Sequence, residues 1–252
     1  MNEGYDPAFF EAMARVEPES FWFRARNRLI VSTLRRHFLG LSSLLEVGCG
    51  TGFVLAAIRR AFPHARLVGG EPFAEGRELA LQRVPDAEIV ELDATRIPFE
   101  AEFDVIGCFD VLEHVRDDEV ALGEMHRALR RGGGLVLLVP QHPRLWSQAD
   151  TFAHHVRRYA RRDLRMKVER AGFDIVQEAS FVSLPLPAMV FSRAGRRLLG
   201  RPYEPWGELR PGRVLNAVLE RVLDAERRLI ERGISLPAGG SLLLVARRGL
   251  GL

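Results

Sequence analysis

The segment Leu44-Leu45-Glu46-Val47-Gly48-Cys49-Gly50-Thr51-Gly52-Phe53 decides the fold of this chain. An apolar run typical of a buried strand ends at a carboxylate, glycines then occupy alternate positions, and residues 54–61 favour a helix. Glycine is needed where the backbone turns sharply or approaches a ligand too closely for a Cβ atom. A strand, a loop and a helix in this order also direct free N–H groups toward a ligand above the loop. The segment therefore predicts a ligand-binding unit.

The spacing of these glycines differs from that of a dinucleotide site. The dinucleotide fingerprint is Gly-x-Gly-x-x-Gly, whereas here Gly52 comes one residue early and Phe53 stands at the last glycine position. The carboxylate of Glu46 would repel a pyrophosphate and attract a cationic ligand. A nicotinamide dehydrogenase is therefore disfavoured.

Residues 46–52 resemble the first motif of class I S-adenosylmethionine (SAM)-dependent methyltransferases. Other segments resemble the later motifs of that family in the expected order: residues 68–72, 90–94, 103–114 and 129–139. The resemblance extends over residues 40–180 and implies that SAM is the cofactor. One position departs from the family pattern, because Glu71 stands where relatives usually carry Asp. A glutamate can still bind the two hydroxyls of a ribose.

According to this resemblance, the residues that bind the cofactor follow successive strands. Those expected at the methionine end are Glu46, Gly48, Cys49, Gly50, Gly52, Phe109 and Asp110. Those expected at the ribose are Glu71 and Pro72, and those expected beside the adenine are Asp93 and Ala94.

Apolar runs and helical patterns alternate along the chain. Strands are predicted near residues 43–47, 66–70, 87–92, 103–108, 134–139, 173–176 and 241–246. Helices are predicted from Asp6-Pro7, over 20–37, near 52–62, 73–83, 117–130 and 160–171, and between 211 and 233. Such alternation implies an α/β fold with a mostly parallel, doubly wound sheet. The resemblance implies a seven-stranded Rossmann-like sheet whose last strand runs antiparallel.

The chain divides into four predicted parts. They are an N-terminal helical cap at 1–40, a SAM-binding core at 41–180, a helical insertion at 181–238 and a final core strand at 239–252. The insertion begins with an apolar run over 181–191, followed by Arg193, Arg196 and Arg197. It has two interpretations: a lid over the substrate pocket, or a surface at 181–200 that contacts a membrane or a lipid-like substrate. The run is too short to span a bilayer, which needs about 20 residues.

Three histidines are candidate bases for an acceptor. His114 lies just past the fourth strand and is either a base or a cap of a short helix. His142 follows the fifth strand, at the edge where the ligand is expected. His155 lies in the densest polar segment of the chain, and we expect its loss to impair turnover more than SAM affinity.

That polar segment spans residues 145–159. It resembles an Asp…His-x-Arg-Arg-Tyr signature of a bacterial subset of these methyltransferases, often found in cell-surface saccharide or secondary-metabolite pathways. The residues expected to bind the substrate are Trp146, Asp150, His154, Arg157, Arg158 and Tyr159. Two arginines would bind an anionic acceptor through charge-assisted bonds. Alternatively, Asp150 pairs with one of the arginines and ties the loop to the sheet.

Composition and charge narrow the expected partners. The chain of 252 residues has a net charge of +3, so its charge does not indicate a nucleic-acid partner. Its N-terminus lacks the pattern of a signal peptide, and we expect a cytoplasmic protein, in one interpretation peripheral to a membrane. Cys49 and Cys108 are expected to be buried thiols, with a disulfide as the alternative. Neither these cysteines nor His154 and His155 have metal-ligand spacing, so no metal is expected.

Two hypotheses of different class result. The first is a methyltransferase, a monomer or a homodimer, that acts on a small, anionic or amphiphilic acceptor, with oxygen favoured as the methylated atom. The second is a non-catalytic regulatory or scaffold protein that binds SAM. The intact glycine loop and the candidate bases favour the first.

Overall fold

A computed structural model describes residues 8–198 and 206–249 of the chain. Seven strands form one sheet in the described part: β1 (Ser43–Val47), β2 (Arg66–Gly70), β3 (Glu88–Val90), β4 (Phe103–Phe109), β5 (Leu129–Pro140), β6 (Phe173–Phe181) and β7 (Ser241–Arg248). Their order is β3-β2-β1-β4-β5-β7-β6. The first five strands are parallel, and β7 runs antiparallel to both β5 and β6. This arrangement confirms the predicted fold class.

Helices cover both faces of the sheet. They are α1 (Ala8–Val16), α2 (Phe21–His37), α3 (Phe53–Ala61), α4 (Ala74–Arg83), α5 (Asp118–Ala128), α6 (Gln148–Phe152), α7 (Arg161–Arg170), α8 (Leu186–Leu198) and α9 (Arg213–Glu231). One apolar cluster includes side chains of α2, α3 and α9, and the other includes side chains of α5 and α7. Alternate residues of β5, such as Val136 and Leu137, enter opposite clusters, as the period of two in a strand requires.

Several element boundaries follow from local chemistry. Gly172 adopts a φ of +92° just beyond α7, the left-handed conformation that a glycine commonly adopts after the last turn of a helix. Gly212 precedes α9, which lies inside the predicted range of 211–233. The predicted opening of the first helix at Asp6-Pro7 lies outside the described residues, as do 199–205 of the insertion and 250–252 of the final segment. The division into four parts stays a prediction.

Two strands are longer than their apolar runs indicate. β6 continues to Phe181, beyond the predicted end at residue 176, through polar positions that include Gln177 and Glu178. It is an edge strand, so part of it faces solvent and carries polar side chains. β5 begins at Leu129, and its pairing with β4 is interrupted by an irregularity before Gly134. The apolar run marks only the regular part of such a strand.

Gly52 and Gly123 form a matched pair for testing the packing of the glycine loop. Gly52 has a φ of +74°, and a Cβ atom there would lie 2.9 Å from Cα of Ala80 in α4. We expect Gly52→Ala to lower the free energy of unfolding by about 1–3 kcal/mol, the cost of local backbone strain. Gly123 lies within α5 with open space at its Cβ, and Gly123→Ala is expected to stabilise the protein by about 0.5–1 kcal/mol. Urea titration measures both, and equal stabilities of the two variants would contradict the close approach of loop and α4.

Candidate active site

The predicted cofactor residues converge on one edge of the sheet. Parallel strands place their carboxyl ends together, and ligands of open α/β sheets bind beyond those ends. Glu46 lies near the end of β1, Glu71 follows β2, Asp93 follows β3 and Asp110 follows β4. His142 follows β5 at the same edge.

The glycine loop after β1 has the conformation that its sequence predicts. Gly48, Gly50 and Gly52 have φ angles of +72°, +53° and +74°, in the left-handed region that favours glycine. A Cβ atom at Gly50 would meet no atom of the other described residues within 4 Å, its chain neighbours aside, so these residues leave the space above the loop open. The N–H of Gly50 donates to a carboxylate oxygen of Glu71 over 2.9 Å. The loop therefore offers its backbone to a ligand at close range.

Glu46 is a buried carboxylate with an unsatisfied oxygen. Only 2% of the residue is exposed, and its Oε2 atom accepts no hydrogen bond from the described residues. Burial raises the pKa of Glu46 to about 8, although the nearby charge of Arg26 acts in the opposite direction. A desolvated carboxylate of this kind is stabilised by a cation. Its environment suits a positively charged ligand group.

Arg26 is a site residue that the sequence analysis missed. Its Nε atom lies 2.6 Å from Oδ2 of Asp110, and its Nη2 atom donates to the carbonyl of Phe109 over 2.8 Å. Burial raises the pKa of Asp110, and the charge of Arg26 opposes that rise. In α2, Arg26 lies three residues after Phe23 and four before Ile30, both buried. A charge on the apolar face of a helix was the signal available in the sequence.

Glu17 ties the N-terminal helices to the glycine loop. The hydroxyl of Thr51 lies 2.7 Å from each carboxylate oxygen of Glu17, and Arg83 of α4 donates to Glu17 over 2.7 Å. Arg83 also donates to the hydroxyl of Thr51 over 2.6 Å. Burial raises the pKa of Glu17. Nothing in the sequence near Glu17 indicates this contact, because it joins residues far apart in the chain.

The two acids expected at the ribose and the adenine differ in environment. Glu71 is buried and accepts hydrogen bonds from the N–H groups of Gly50 and Phe73, and burial raises its pKa. Pro72 follows it and is partly exposed. Asp93 is exposed and accepts bonds from the N–H and hydroxyl of Thr95, whereas Ala94 is buried. Glu71 therefore lies against the glycine loop, whereas Asp93 lies at the solvent-exposed rim of the site.

Asp150 organises the polar segment after β5. It accepts hydrogen bonds from Arg158 over 2.8 Å and from the N–H of Ser147 over 2.8 Å, and Nδ1 of His155 lies 3.0 Å away. Burial acts to raise the pKa of Asp150, but these hydrogen bonds and the charge of Arg158 hold it at about 2. Arg158 also donates to the carbonyls of Gln141 and Gly240. The ion pair that ties the loop to the sheet is therefore present.

Other residues of that segment have separate surroundings. Tyr159 is fully buried and donates to Asp118 over 2.8 Å, and Arg157 pairs with the same carboxylate at 2.7 Å. Trp146 and His154 are exposed. The structure thus holds Tyr159, Arg157 and Arg158 in contacts within the protein.

The three candidate bases have different environments. The rings of His114 and His155 meet edge to face with centroids 4.8 Å apart, and Nε2 of His155 lies 3.8 Å from Glu113. Burial lowers the pKa of His114 to about 3, which makes it a weak proton acceptor. His142 has a φ of +61°, and burial lowers its pKa as well.

Both cysteines are buried free thiols, as preferred from the sequence. Burial raises the pKa of Cys49 and of Cys108, so neither is a reactive thiolate. Cys49 belongs to the glycine loop and Cys108 to β4.

Comparisons with known proteins agree with this geometry. A family model described as a methyltransferase domain matches residues 18–178. A probable S-adenosylmethionine-dependent methyltransferase of Mycolicibacterium smegmatis is 29% identical over 161 residues, which cover 62% of this chain and 61% of that protein. The chain thus spans less than two thirds of the length of this curated relative.

Solved structures share the fold. The cyclase SpnF superposes with a TM-score of 0.61 at 19% identity, covering 91% of this chain and 84% of the cyclase. Geranyl diphosphate C-methyltransferase from Streptomyces coelicolor, solved with S-adenosyl-L-homocysteine, superposes with a TM-score of 0.58 at 18% identity, covering 87% of this chain and 79% of that protein. At these identities the likeness shows the fold alone, and a cyclase shares it.

The raised pKa of Glu46 predicts a pH-dependent stability. In the folded protein Glu46 holds its proton up to about pH 8, against an ordinary pKa of 4.5. The contribution of the protonated carboxyl to the free energy of unfolding is therefore full below pH 4.5 and is lost as the pH rises through 8. Glu46→Gln mimics the protonated form, and its melting temperature should exceed that of the wild type by an amount that grows between pH 5 and pH 8. Each kcal/mol corresponds to about 2–4 °C.

Thermal melting over that pH range measures the effect. Glu78→Gln in α4 removes an exposed carboxylate and serves as the matched control for the loss of one carboxylate. A parallel profile for Glu46→Gln would contradict the assignment of a raised pKa to Glu46.

Proposed function

This chain belongs to the methyltransferase-domain family of SAM-dependent enzymes, and we propose that the whole protein transfers the methyl group of SAM to a small acceptor, with oxygen as the reacting atom. The observation that carries the proposal is the open, left-handed glycine loop beside the unsatisfied carboxylate of Glu46. The open space admits a ligand against the backbone, and the carboxylate suits the positive charge of SAM.

We assign the cofactor residues as follows. Glu46 and the loop of Gly48, Cys49, Gly50 and Gly52 hold the methionine end, with Phe109 and Asp110 along the same side. Glu71 and Pro72 meet the ribose, where the buried carboxylate of Glu71 already faces the loop. Asp93 and Ala94 border the adenine at the rim.

The chain's own residues supply orientation and proton handling. When bound, SAM would supply a methyl group on a positively charged sulfur, and the acceptor nucleophile would attack the methyl carbon in line with the sulfur that leaves. Placing the acceptor in line provides most of the rate, and a base is needed only if the acceptor is protonated. Asp150 orients the imidazole of His155, because a carboxylate accepts the hydrogen bond from Nδ1 and leaves Nε2 free to meet an acceptor hydroxyl. His142 is the second candidate base. His114 is disfavoured as a base because its pKa is lowered to about 3.

The surroundings of the arginines favour an amphiphilic acceptor over a strongly anionic one. Arg157 and Arg158 are each paired with an aspartate, so neither offers an uncompensated positive charge. Apolar side chains are exposed on α8 instead, namely Val190 and Phe191. We propose that this apolar surface, as we name these two side chains, contacts an amphiphilic acceptor or the lipid interface that contains it.

Calorimetric titration with SAM, and separately with NADH, tests the cofactor assignment. We expect SAM to bind and NADH not to bind. Gly50→Val should abolish SAM binding, because its side chain occupies the open space above the loop at a left-handed φ. Gly40→Val is the control, since Gly40 also has open space at its Cβ but lies in the loop between α2 and β1.

Thermal melting of each variant verifies that it is folded. Binding of SAM by folded Gly50→Val with the affinity of the wild type would contradict the placement of the cofactor on this loop. Binding of NADH in place of SAM would contradict the proposed activity itself.

Vesicle co-sedimentation tests the apolar surface. In the described residues no helix has the length and apolar character needed to cross a bilayer, and Arg193 at this surface is paired with Glu208 at 2.7 Å. The side chains of Arg196 and Arg197 lie outside the described residues. We expect Phe191→Ser to reduce binding to phosphatidylglycerol vesicles, because Phe191 is 77% exposed and its ring enters the interface.

Leu39→Ser is the matched control, because Leu39 is 88% exposed in the loop between α2 and β1. Its binding to vesicles should equal that of the wild type. An equal loss in both variants, or no binding by the wild type, would contradict the interfacial role and leave the lid as the interpretation of this segment.

A further inference from the structure

Three side chains with metal-ligating atoms meet beside the acceptor side of the site. Glu113 and His114 belong to a 3₁₀ helix (Leu112–His114) just after β4, and His155 comes from the loop after α6. One ligand atom from each residue lies within 4.8 Å of the others. No spacing in the sequence indicates this group, because His155 lies 41 residues beyond His114.

Glu113 supplies an independent observation. Its side chain is fully buried, and neither carboxylate oxygen accepts a hydrogen bond from another described residue. Nε2 of His155 lies 3.8 Å from Oε1 of Glu113, which is too far for a hydrogen bond. Buried carboxylates are normally paired, hydrogen-bonded or bound to a metal ion. One carboxylate oxygen of Glu113 lies within 4.8 Å of a ring nitrogen of His114 and of His155.

The imidazole of His155 is held as metal ligands are held in proteins. Asp150 accepts a hydrogen bond from Nδ1 of His155, so Nε2 carries the lone pair on the side of Glu113. The ring of His114 packs edge to face against the ring of His155, with centroids 4.8 Å apart. Outer hydrogen bonds from a carboxylate or a carbonyl fix the tautomer and direction of a ligating histidine. The orientation of His155 is therefore set before any ion arrives.

We propose that Glu113, His114 and His155 bind a divalent transition-metal ion. Two imidazoles and one carboxylate suit zinc, iron or cobalt, whereas magnesium and calcium prefer oxygen ligands alone. Three protein ligands leave further positions of the ion open, and Asp110, assigned to the methionine side, lies only three residues before Glu113.

The coordination position that the three protein ligands leave open on the ion indicates the class of methyl acceptor. This inference about the acceptor rests on the proposed function. An acceptor hydroxyl bound to the ion would release its proton to solvent water more easily, because a bound cation stabilises the resulting oxyanion. The metal occupies Nε2 of His155, so it replaces the imidazole as the means of activating the hydroxyl. Acceptors with an ionisable hydroxyl fit such a site.

Calorimetric titration of the chelator-treated full chain with zinc chloride, without SAM, tests the site. We expect stoichiometric binding that weakens at least about tenfold in Glu113→Gln and in His155→Ala. His64→Ala removes an exposed histidine near the start of β2 and should bind zinc as the wild type does. Cobalt(II) should give visible absorption bands with the wild type and lose them in the same two variants.

Failure of the metal site and failure of the proposed function give different results. No stoichiometric zinc binding by the wild type, or unchanged binding in folded Glu113→Gln, would overturn the metal site. If that variant does not fold, melting of the wild type decides, since zinc should raise its melting temperature and an unchanged value overturns the site. A SAM titration of the same preparation keeps the two proposals apart: zinc failure with intact SAM binding overturns the metal site alone, and SAM failure with intact zinc binding overturns the proposed function alone.

Discussion

The carboxylate of Glu46 is buried near the end of β1, and one of its oxygens has no hydrogen-bonding partner among the described residues. This buried carboxylate determines which ligands the site favours. Taking a carboxylate out of water costs several kcal/mol unless a charge or hydrogen bonds compensate. In the ligand-free protein the cost is met by holding a proton, which is why the pKa of Glu46 rises to about 8. A bound cation would replace that proton.

The surrounding residues repeat this pattern. Glu17, Glu46, Glu71 and Glu113 are all buried, and burial raises the pKa of each. Among them lies the buried guanidinium of Arg26, paired with Asp110. An acid-rich edge of this kind favours positive ligands and disfavours a pyrophosphate. The same electrostatic logic thus favours SAM at the glycine loop and a metal ion at Glu113.

Regular parts of the fold were predictable because they depend on local chemistry. The glycine loop, the C-terminal glycine at Gly172 and the position of α9 each follow from a residue type or a period within a short window. The full length of β6 was not predictable, since an edge strand carries polar residues that break the apolar run. The contacts of Arg26 and Glu17 were hidden because they join segments distant in sequence. The role of Arg158 could not be decided from the sequence, because an anionic methyl acceptor and Asp150 were both possible partners. In the fold Arg158 pairs with Asp150.

A crystal structure with S-adenosyl-L-homocysteine, the product of methyl transfer, tests the central claim most directly. We expect the amino-acid end of the product to lie over residues 48–52 beside Glu46, its ribose hydroxyls to meet Glu71, and its adenine to lie near Asp93. A product bound elsewhere, or a glycine loop closed against the protein with no ligand above Gly50, would contradict this placement of the cofactor.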